Sequence, residues 1–380
     1  MKSNYDVLGK YIRPVDERNK DLTITNLLGV SIGKNFISSI ANIVGTDLSG
    51  YKVVRTGQFA YGPVTSRNGD KISIAYLDGE DCIISSSYSV FEVTDKEKLD
   101  PEYLMLWFNR PEFDRYARFK SHGSVREIMD WDEMCKVELP VPAIEKQRNI
   151  VKAYKTITYR IALKKQINDN LEATLNTVFV KMYEELDEDS FVQFSELCSL
   201  ASSKRVFADD YVSDGVPFYR GKEITQKRNG EPIADPLFIS QNHFASLKES
   251  YGIPLCGDIL ITAVGTIGNS YLVQDEDFYF KDGNIIWLKD FVEPSLNYYV
   301  YDYMQTPIFK RQLDGICIGS TQTALTIVAL SNLKVKMPRT EELVSYCKKS
   351  KALHSAIQTN NGEIERLTQV TQTMLASLSR

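Results

Sequence analysis

At 380 residues the chain exceeds one ordinary domain and fits two or more. With 43% hydrophobic and 25% charged residues it must bury substantial cores, which excludes a disordered chain. The net charge of -5 neither requires nor forbids a nucleic-acid partner, because what matters is whether the 45 basic residues cluster on one face.

The opening Met-Lys-Ser-Asn-Tyr-Asp-Val-Leu has no apolar run of signal-peptide length, and no stretch of about 18 apolar residues occurs anywhere. A soluble, cytoplasmic protein is expected, with no membrane partner. The first roughly 140 residues are rich in Val, Ile, Tyr and Phe, with Gly and Pro as punctuation. Lys71–Tyr76 and Cys82–Ser85 read as strands, and Asn68-Gly69 as a turn. A helix is expected over Pro101–Phe119. After Pro142 no Pro or Gly occurs until Gly215, and apolar residues recur at spacings of four and three. Ile150, Tyr154, Ile157, Ile161, Lys164, Asn168, Leu171, Leu175, Val178 and Met182 form one seam of a long helix.

The same succession then returns. Asn229-Gly230 reads as a turn, Asp258–Val264 as a strand and Glu293–Leu313 as a helix. After Pro338 a second seam runs through Leu343, Tyr346, Ser350, Leu353, Ile357, Asn360, Ile364, Leu367, Thr371, Met374 and Leu378. The polar seam residues Lys164, Asn168 and Asn360 are expected to fix register, and Gly362 to weaken the second helix by about 1 kcal/mol. Tyr103, Pro111 and Phe113 match Tyr299, Pro307 and Phe309 at an offset of 196, as Gly123-Ser124 matches Gly319-Ser320. Ser89-Val90-Phe91 falls on Ile285-Ile286-Trp287 at 196, Val137–Pro140 on Val335–Pro338 at 198, and Gly57-Gln58-Phe59 on Gly257-Asp258-Ile259 at 200.

The expected architecture is α+β: two tandem recognition domains, residues 1–142 and 187–338, separated by long spacer helices at 143–186 and 339–380. The second helix can pack only back along the first, giving an antiparallel coiled coil and a pseudo-two-fold molecule. A 40-residue helix is about 60 Å long, or about 18 base-pair rises of roughly 3.4 Å. Two unequal heads on such a spacer suit two different half-sites at fixed separation.

Three stretches carry a family resemblance. They are Val216-Pro217-Phe218-Tyr219-Arg220-Gly221-Lys222-Glu223-Ile224; Gly257-Asp258-Ile259-Leu260-Ile261-Thr262 with Gly265-Thr266-Ile267-Gly268; and Gly319-Ser320-Thr321-Gln322, with Gly123-Ser124 and Glu145-Lys146-Gln147 at the first exit. In these, and across essentially the whole chain, the sequence resembles the specificity subunit of type I restriction-modification enzymes. The first head departs from the pattern, with Tyr61-Gly62-Pro63-Val64-Thr65-Ser66-Arg67-Asn68-Gly69 in place of Gly-Thr-Ile-Gly; the second exit lacks one Pro and the Gln. The resemblance implies a non-catalytic subunit that recognises a bipartite, asymmetric double-stranded DNA site in phage defence. It implies two modification subunits that methylate adenine and restriction/translocase subunits that cut. S-adenosylmethionine, ATP and Mg belong on those partners, and the chain itself carries no cofactor. Alternatives are a specificity-like subunit of another methyltransferase-based defence system, or a coiled-coil scaffold that binds proteins.

Base and phosphate contacts call for basic, amide and hydroxyl side chains on groove-facing loops. The candidates in the first head are Arg55, Ser66, Arg67, Asn68, Lys71, Lys120, His122, Ser124 and Arg126. Those in the second are Lys204, Arg205, Tyr219, Arg220, Lys222, Lys227, Arg228, Thr266, Ser320, Thr321 and Gln322, with Tyr219 equally readable as a core aromatic. Between Glu145 and Lys181, eight Lys/Arg face three Asp/Glu, a basic helix suited to DNA backbone, to partner subunits or to solvent.

Catalytic signatures are missing from the sequence. It has no Pro-Pro for a methyltransferase motif, no Asp-x-Lys or Glu-x-Lys for a nuclease, and no Walker A loop. The six cysteines are scattered without C-x-x-C, which argues against zinc and for buried thiols in a reducing compartment. His122, His243 and His354 have no evident Ser or Cys partner.

Overall fold

The computed structural model describes residues 5–39, 45–66, 68–69, 71–121, 127–233, 235–293, 295–317 and 324–378. It divides into two compact units, Met1–Ile161 with Arg366–Arg380, and Ala162–Glu365.

In the first unit the central sheet runs, in spatial order, Ile12–Val15, Ser89–Val93, Phe59–Tyr61, Ile74–Tyr76, all antiparallel. In the second the order is Ser199–Ala201, Ile285–Lys289, Ile259–Thr262, Ser270–Leu272, again antiparallel. A strand pair closes each unit, Tyr5–Val7 on Glu138–Pro140 and Phe191–Gln193 on Lys334–Lys336. The heads differ in their outer parts. Two separate pairs, Leu28–Val30 with Phe36–Ser38 and Lys52–Val54 with Cys82–Ile84, flank the first sheet. A four-stranded sheet including Val216–Tyr219 and Tyr279–Phe280 flanks the second.

The duplication is visible in individual hydrogen bonds. The Tyr103 hydroxyl donates to the Pro140 carbonyl at 3.1 Å, and that of Tyr299 to the Lys336 carbonyl at 2.6 Å. Gly57 and Gly257 both sit at φ +95, in the left-handed region that favours glycine, with N–H to Leu77 O and Val273 O respectively. The Gln58 side chain accepts from Arg55 N–H at 2.8 Å, and Asp258 from Leu255 N–H at the same distance.

These bonds correct two offsets. Tyr5 pairs with Pro140 and Phe191 with Lys336, so Val137 is equivalent to Leu333, and the offset there is 196 rather than 198. Phe59 pairs with Phe91 but Ile259 with Leu288, so this strand is offset by 197 rather than 196. Side-chain period 2 explains the miss: a one-residue slip would place Phe91 on Trp287, which faces the opposite cluster. Leu288 joins the helix-side core, as Phe91 does.

Each expected head helix is two helices. Pro101–Phe108 and Pro111–Lys120 replace Pro101–Phe119; Leu296–Met304 and Pro307–Ile316 replace Glu293–Leu313. Proline has no N–H and forces the preceding residue out of the helical region. Arg110 stands at ψ 138 and Thr306 at ψ 154, and Pro111 and Pro307 take the first helical position, where the missing N–H costs nothing. Asn229-Gly230 likewise ends a helix, Gly221–Arg228, with Gly230 at φ +63.

The long helices span Ile144–Glu184 and Thr340–Ser377. Val151 and Tyr154 from one, Leu375 from the other and Leu378 just past its end complete the first unit's core around Phe59, Phe91, Phe108 and Phe113. In the second unit Phe179 and Tyr183 join Tyr346, Tyr299, Tyr303, Phe194 and Phe309. Contacts there run antiparallel: Lys164 reaches Asn360 at 2.8 Å, while the Phe179 ring lies 5.7 Å from that of Tyr346. The seam departs from its expected line at Val178, which is 50% exposed, while Phe179 is fully buried. After Leu175 the buried positions advance by four, because the helix here packs on the head's core as well as on its partner helix.

Cys82, Cys198 and Cys347 are buried, as the sequence suggests, but Cys256 is exposed and Cys135 and Cys317 are half-buried.

Candidate nucleic-acid interface

The turn that joins the last two strands in the spatial order of each sheet carries part of the candidate set. In the first head Gly62 N–H bonds Ser73 O at 2.9 Å, closing the loop that carries Ser66, Asn68 and Lys71. Val64 forms an antiparallel bridge with Ile128, and Met129 N–H bonds Pro63 O. The loop is thereby fastened to the segment after the helix that ends at Lys120. In the second head Thr262 N–H bonds Asn269 O, Val264 bridges Ala324, and Leu325 N–H bonds Ala263 O. The two sites are equivalent, but 62–73 is four residues longer than 262–269, since 64 and 264 differ by 200 while 128 and 324 differ by 196. That insertion accounts for the step in offset from 200 to 196.

Ser66 and Lys71 are exposed on the first loop. Asn68 donates to Val64 O at 3.4 Å, and the turn closes through Lys71 N–H to Asn68 O. Lys120 lies 3.8 Å from Glu133 and 5.9 Å above the Tyr116 ring. Arg55 is engaged by Glu17 and by Asp81, the latter at 2.8 Å, and both carboxylates push its pKa further up. Arg67, His122, Ser124, Arg126, Ser320, Thr321 and Gln322 lie outside the described residues.

The second head builds a chain of polar side chains. Thr266, exposed on the turn, lies 3.5 Å from the Thr225 hydroxyl, which accepts from Asn269 Nδ2 at 3.0 Å. Arg228 bridges Asn269 Oδ1 at 3.1 Å and Gln305 Oε1 at 2.7 Å, and Gln305 donates on to Ser270 at 2.7 Å. Thr225, Asn269 and Gln305 were absent from the sequence candidates. Asn269 follows the Gly-Thr-Ile-Gly stretch directly, which was the available signal. Lys222 is exposed at the start of the 221–228 helix. Arg220 is committed to Glu223, at 2.6 and 3.1 Å. Burial pushes the Glu223 carboxyl up, but the Arg220 bonds outweigh it and hold the group below the usual range. Lys204 lies over the Tyr251 ring at 5.4 Å, and Arg205 bonds Asp282 at 2.8 Å.

Tyr219 is a core aromatic and is corrected as a surface contact. It is 5% exposed, stacks on Phe278 at 4.6 Å, and donates to Glu276 at 3.1 Å. Lys227 is drawn inward by the same carboxylate at 2.8 Å, between the Tyr219 and Tyr271 rings. On the first long helix Arg148, Lys155 and Lys164 are paired with Glu97, Glu102 and Glu363, while Lys146, Lys152, Lys165 and Lys181 are exposed.

His354 does have a serine neighbour. Its Nε2 lies 2.6 Å from Asp302, and Ser350 and Tyr346 donate to the same carboxylate at 2.5 and 2.7 Å. The serine faces the acid rather than the imidazole, so nothing activates it as a nucleophile. Among the described residues no cluster of His, Cys, Asp or Glu could hold a metal, and no helix is long and apolar enough to cross a membrane.

The model of the type I restriction modification DNA specificity domain matches residues 31–173 and again 188–369. A putative type I restriction enzyme specificity subunit from Haemophilus influenzae is 26% identical over 280 residues, covering 70% of this chain and 69% of that one. The crystal structure of the type I restriction-modification S subunit from M. genitalium, at 13% identity, covers 99% of this chain and 96% of its own with a TM-score of 0.62, and so shares the fold. Matched along both heads, the chain belongs to the type I restriction-modification DNA specificity family, whose members are non-catalytic subunits, and its role is DNA target recognition.

Proposed function

We propose that the two heads, residues 1–142 and 187–338, each read one half of a split, asymmetric DNA site. In this reading they direct adenine methylation by two modification subunits and cleavage by restriction subunits, the partners supplying S-adenosylmethionine, ATP and Mg. One observation carries the reading: both heads present the same bridged turn, and the two turns carry different polar side chains. Equivalent positions with unlike chemistry are what two unlike half-sites require. Thr266, Lys222, Lys204 and Arg205 are the second head's contacts, and Ser66, Asn68, Lys71 and Lys120 the first's. Arg55, held by two carboxylates, and Arg220, held by two bonds to Glu223, contribute less.

Base-modification sequencing of the source genome, with the gene intact and deleted, tests this. A split adenine-methylated motif should vanish on deletion. A methylation pattern unchanged by deletion, together with no salt-sensitive preference of the assembled complex for any split duplex, would overturn it.

A further inference from the structure

A cavity of about 350 Å³ lies in the second head, lined by Arg205, Phe207, Tyr211, Lys281, Asp282 and Asn284 among others. That falls within the size of small-molecule sites, roughly 300–1,000 Å³. Its wall is tied to the reading turn. Asn284 O accepts from Ala263 N–H at 2.8 Å, within the 262–269 turn itself. Lys281 N–H bonds Tyr219 O at 2.9 Å, just ahead of the 221–228 helix.

The lining has an unusual chemistry. Asp282 Oδ2 accepts from Arg205 Nε at 2.8 Å, but Oδ1 is buried and has no partner among the described residues. A buried carboxylate oxygen without a donor is costly, so the site wants an N–H. Phe207 is 64% exposed, a large ring left uncovered beside the cavity, with Tyr211 as a second aromatic wall. Lys281 has no carboxylate within ion-pair reach among the described residues, and Arg205 is 65% exposed. Two rings, two cations and one acceptor in want of a donor together match a nucleotide whose base carries an exocyclic amine.

We propose that this cavity receives one nucleotide of the target, unstacked from the duplex. The base lies against Phe207, its amine donates to Asp282 Oδ1, and its phosphate faces Arg205 and Lys281. Adenine, cytosine and guanine offer such an amine and thymine does not, so the cavity adds discrimination at one position that the turn alone does not read. This rests on the DNA-reading role above.

The test uses the full chain with its co-purified modification subunits and the duplex defined by methylation sequencing. A mismatch opposite each position of the second half-site is introduced in turn, leaving aside the methylated adenine, which a methyltransferase displaces for itself. Mismatching lowers the cost of unstacking, so at one position binding should tighten, by about fivefold or more. Phe207→Ala, at an exposed position that does not endanger folding, should abolish that gain, and Asp282→Ala should do the same. Absence of tightening at every position, or a gain that survives both variants, overturns the proposal while leaving specific binding intact. Saturation of the cavity by free dCMP without DNA, lost in Phe207→Ala, would overturn the DNA source in favour of a free nucleotide. Loss of all preference for the target over a shuffled duplex would defeat the reading role itself, and this proposal with it.

Discussion

Asn360 donates from Nδ2 to Asn168 Oδ1 at 2.8 Å, and Asn168 passes its own amide hydrogen to Asn361 at the same distance. Lys164 adds bonds to Asn360 and to Glu363, both at 2.8 Å. Asn168 is 7% exposed, so slipping either helix by a residue would strand amides that only this alignment satisfies. Asn360→Leu should destabilise by about 1–3 kcal/mol, since it leaves Asn168 half-satisfied. Adding Asn168→Leu should recover much of the loss. Urea unfolding of the two single variants and the double variant decides it; additive losses would mean the amides do not act as a unit.

Gln147 is fully buried and fastens the first long helix to the first head. Its side chain accepts from Asp100 N–H at 2.9 Å and donates to Lys98 O at 2.9 Å and Pro142 O at 2.7 Å. Gln147→Leu should cost about 2–3 kcal/mol by stranding these groups. Hydrogen exchange should speed up around Asp100–Tyr103 and leave the second head unchanged, where Leu343 occupies the equivalent place.

Lys34 and Asp114 form a buried pair at 3.0 Å, and Asp114 also accepts from Ile72 N–H at 3.2 Å, at the end of the 62–73 loop. Burial pushes the Lys34 pKa down, and Asp114 partly holds it up. Asp114→Asn should cost about 3–5 kcal/mol at neutral pH by leaving the buried ammonium, which also donates to the Phe108 carbonyl, without an opposite charge. The sign of the pH effect follows. A lysine depressed in the folded state sheds its proton before the unfolded one does, so stability rises with pH below about 10.4. The variant, with the deeper depression, should regain more stability between pH 7 and 10 than the wild type. Equal regain in thermal melts would show that Asp114 does not support the charge.

Arg228→Lys and Lys222→Ala separate two ways of losing DNA affinity. Lysine cannot span Asn269 and Gln305 as the guanidinium does, so Arg228→Lys should weaken second-half-site binding at an unchanged salt slope. Lys222→Ala should lower that slope by about 1, as expected for a lost phosphate contact. Identical slopes for both would remove Lys222 from the interface.

Thiol labelling should be strongly graded. Burial pushes Cys82 and Cys198 up to about 12 and Cys347 up to about 11, so these should resist alkylation until unfolding. Cys256 is exposed and should react first. Early modification of Cys82 would contradict the packing of the first head's outer strands.

Much of this architecture is legible in the residue pattern, because Pro111 and Pro307, Tyr103 and Tyr299, and Gly57 and Gly257 have backbone or hydroxyl duties that few residues can fill. Strand register is less legible. Val90, Phe91, Ile286 and Trp287 are all apolar, so alternation cannot show which faces which core. The candidate site is legible as a location more than as a set of contacts. Thr266 and Lys222 stand exposed where their motifs suggest, whereas Glu276, far along the chain, draws Tyr219 and Lys227 inward, and nothing near either residue announces it.

Leu375 and Leu378 pack with Val151 and Tyr154 on a sheet made from residues 12–93. At about 5–20 residues per second of synthesis, tens of seconds separate Val151 from Leu378 on the ribosome. Throughout that interval the first head has its strands but lacks two of the side chains that close its core. The second unit's own residues end at Glu365, so all of them are made before Leu375 and Leu378. The order in which the heads mature is therefore the reverse of the order in which they are made, and the nascent first head is where a holding chaperone would be needed.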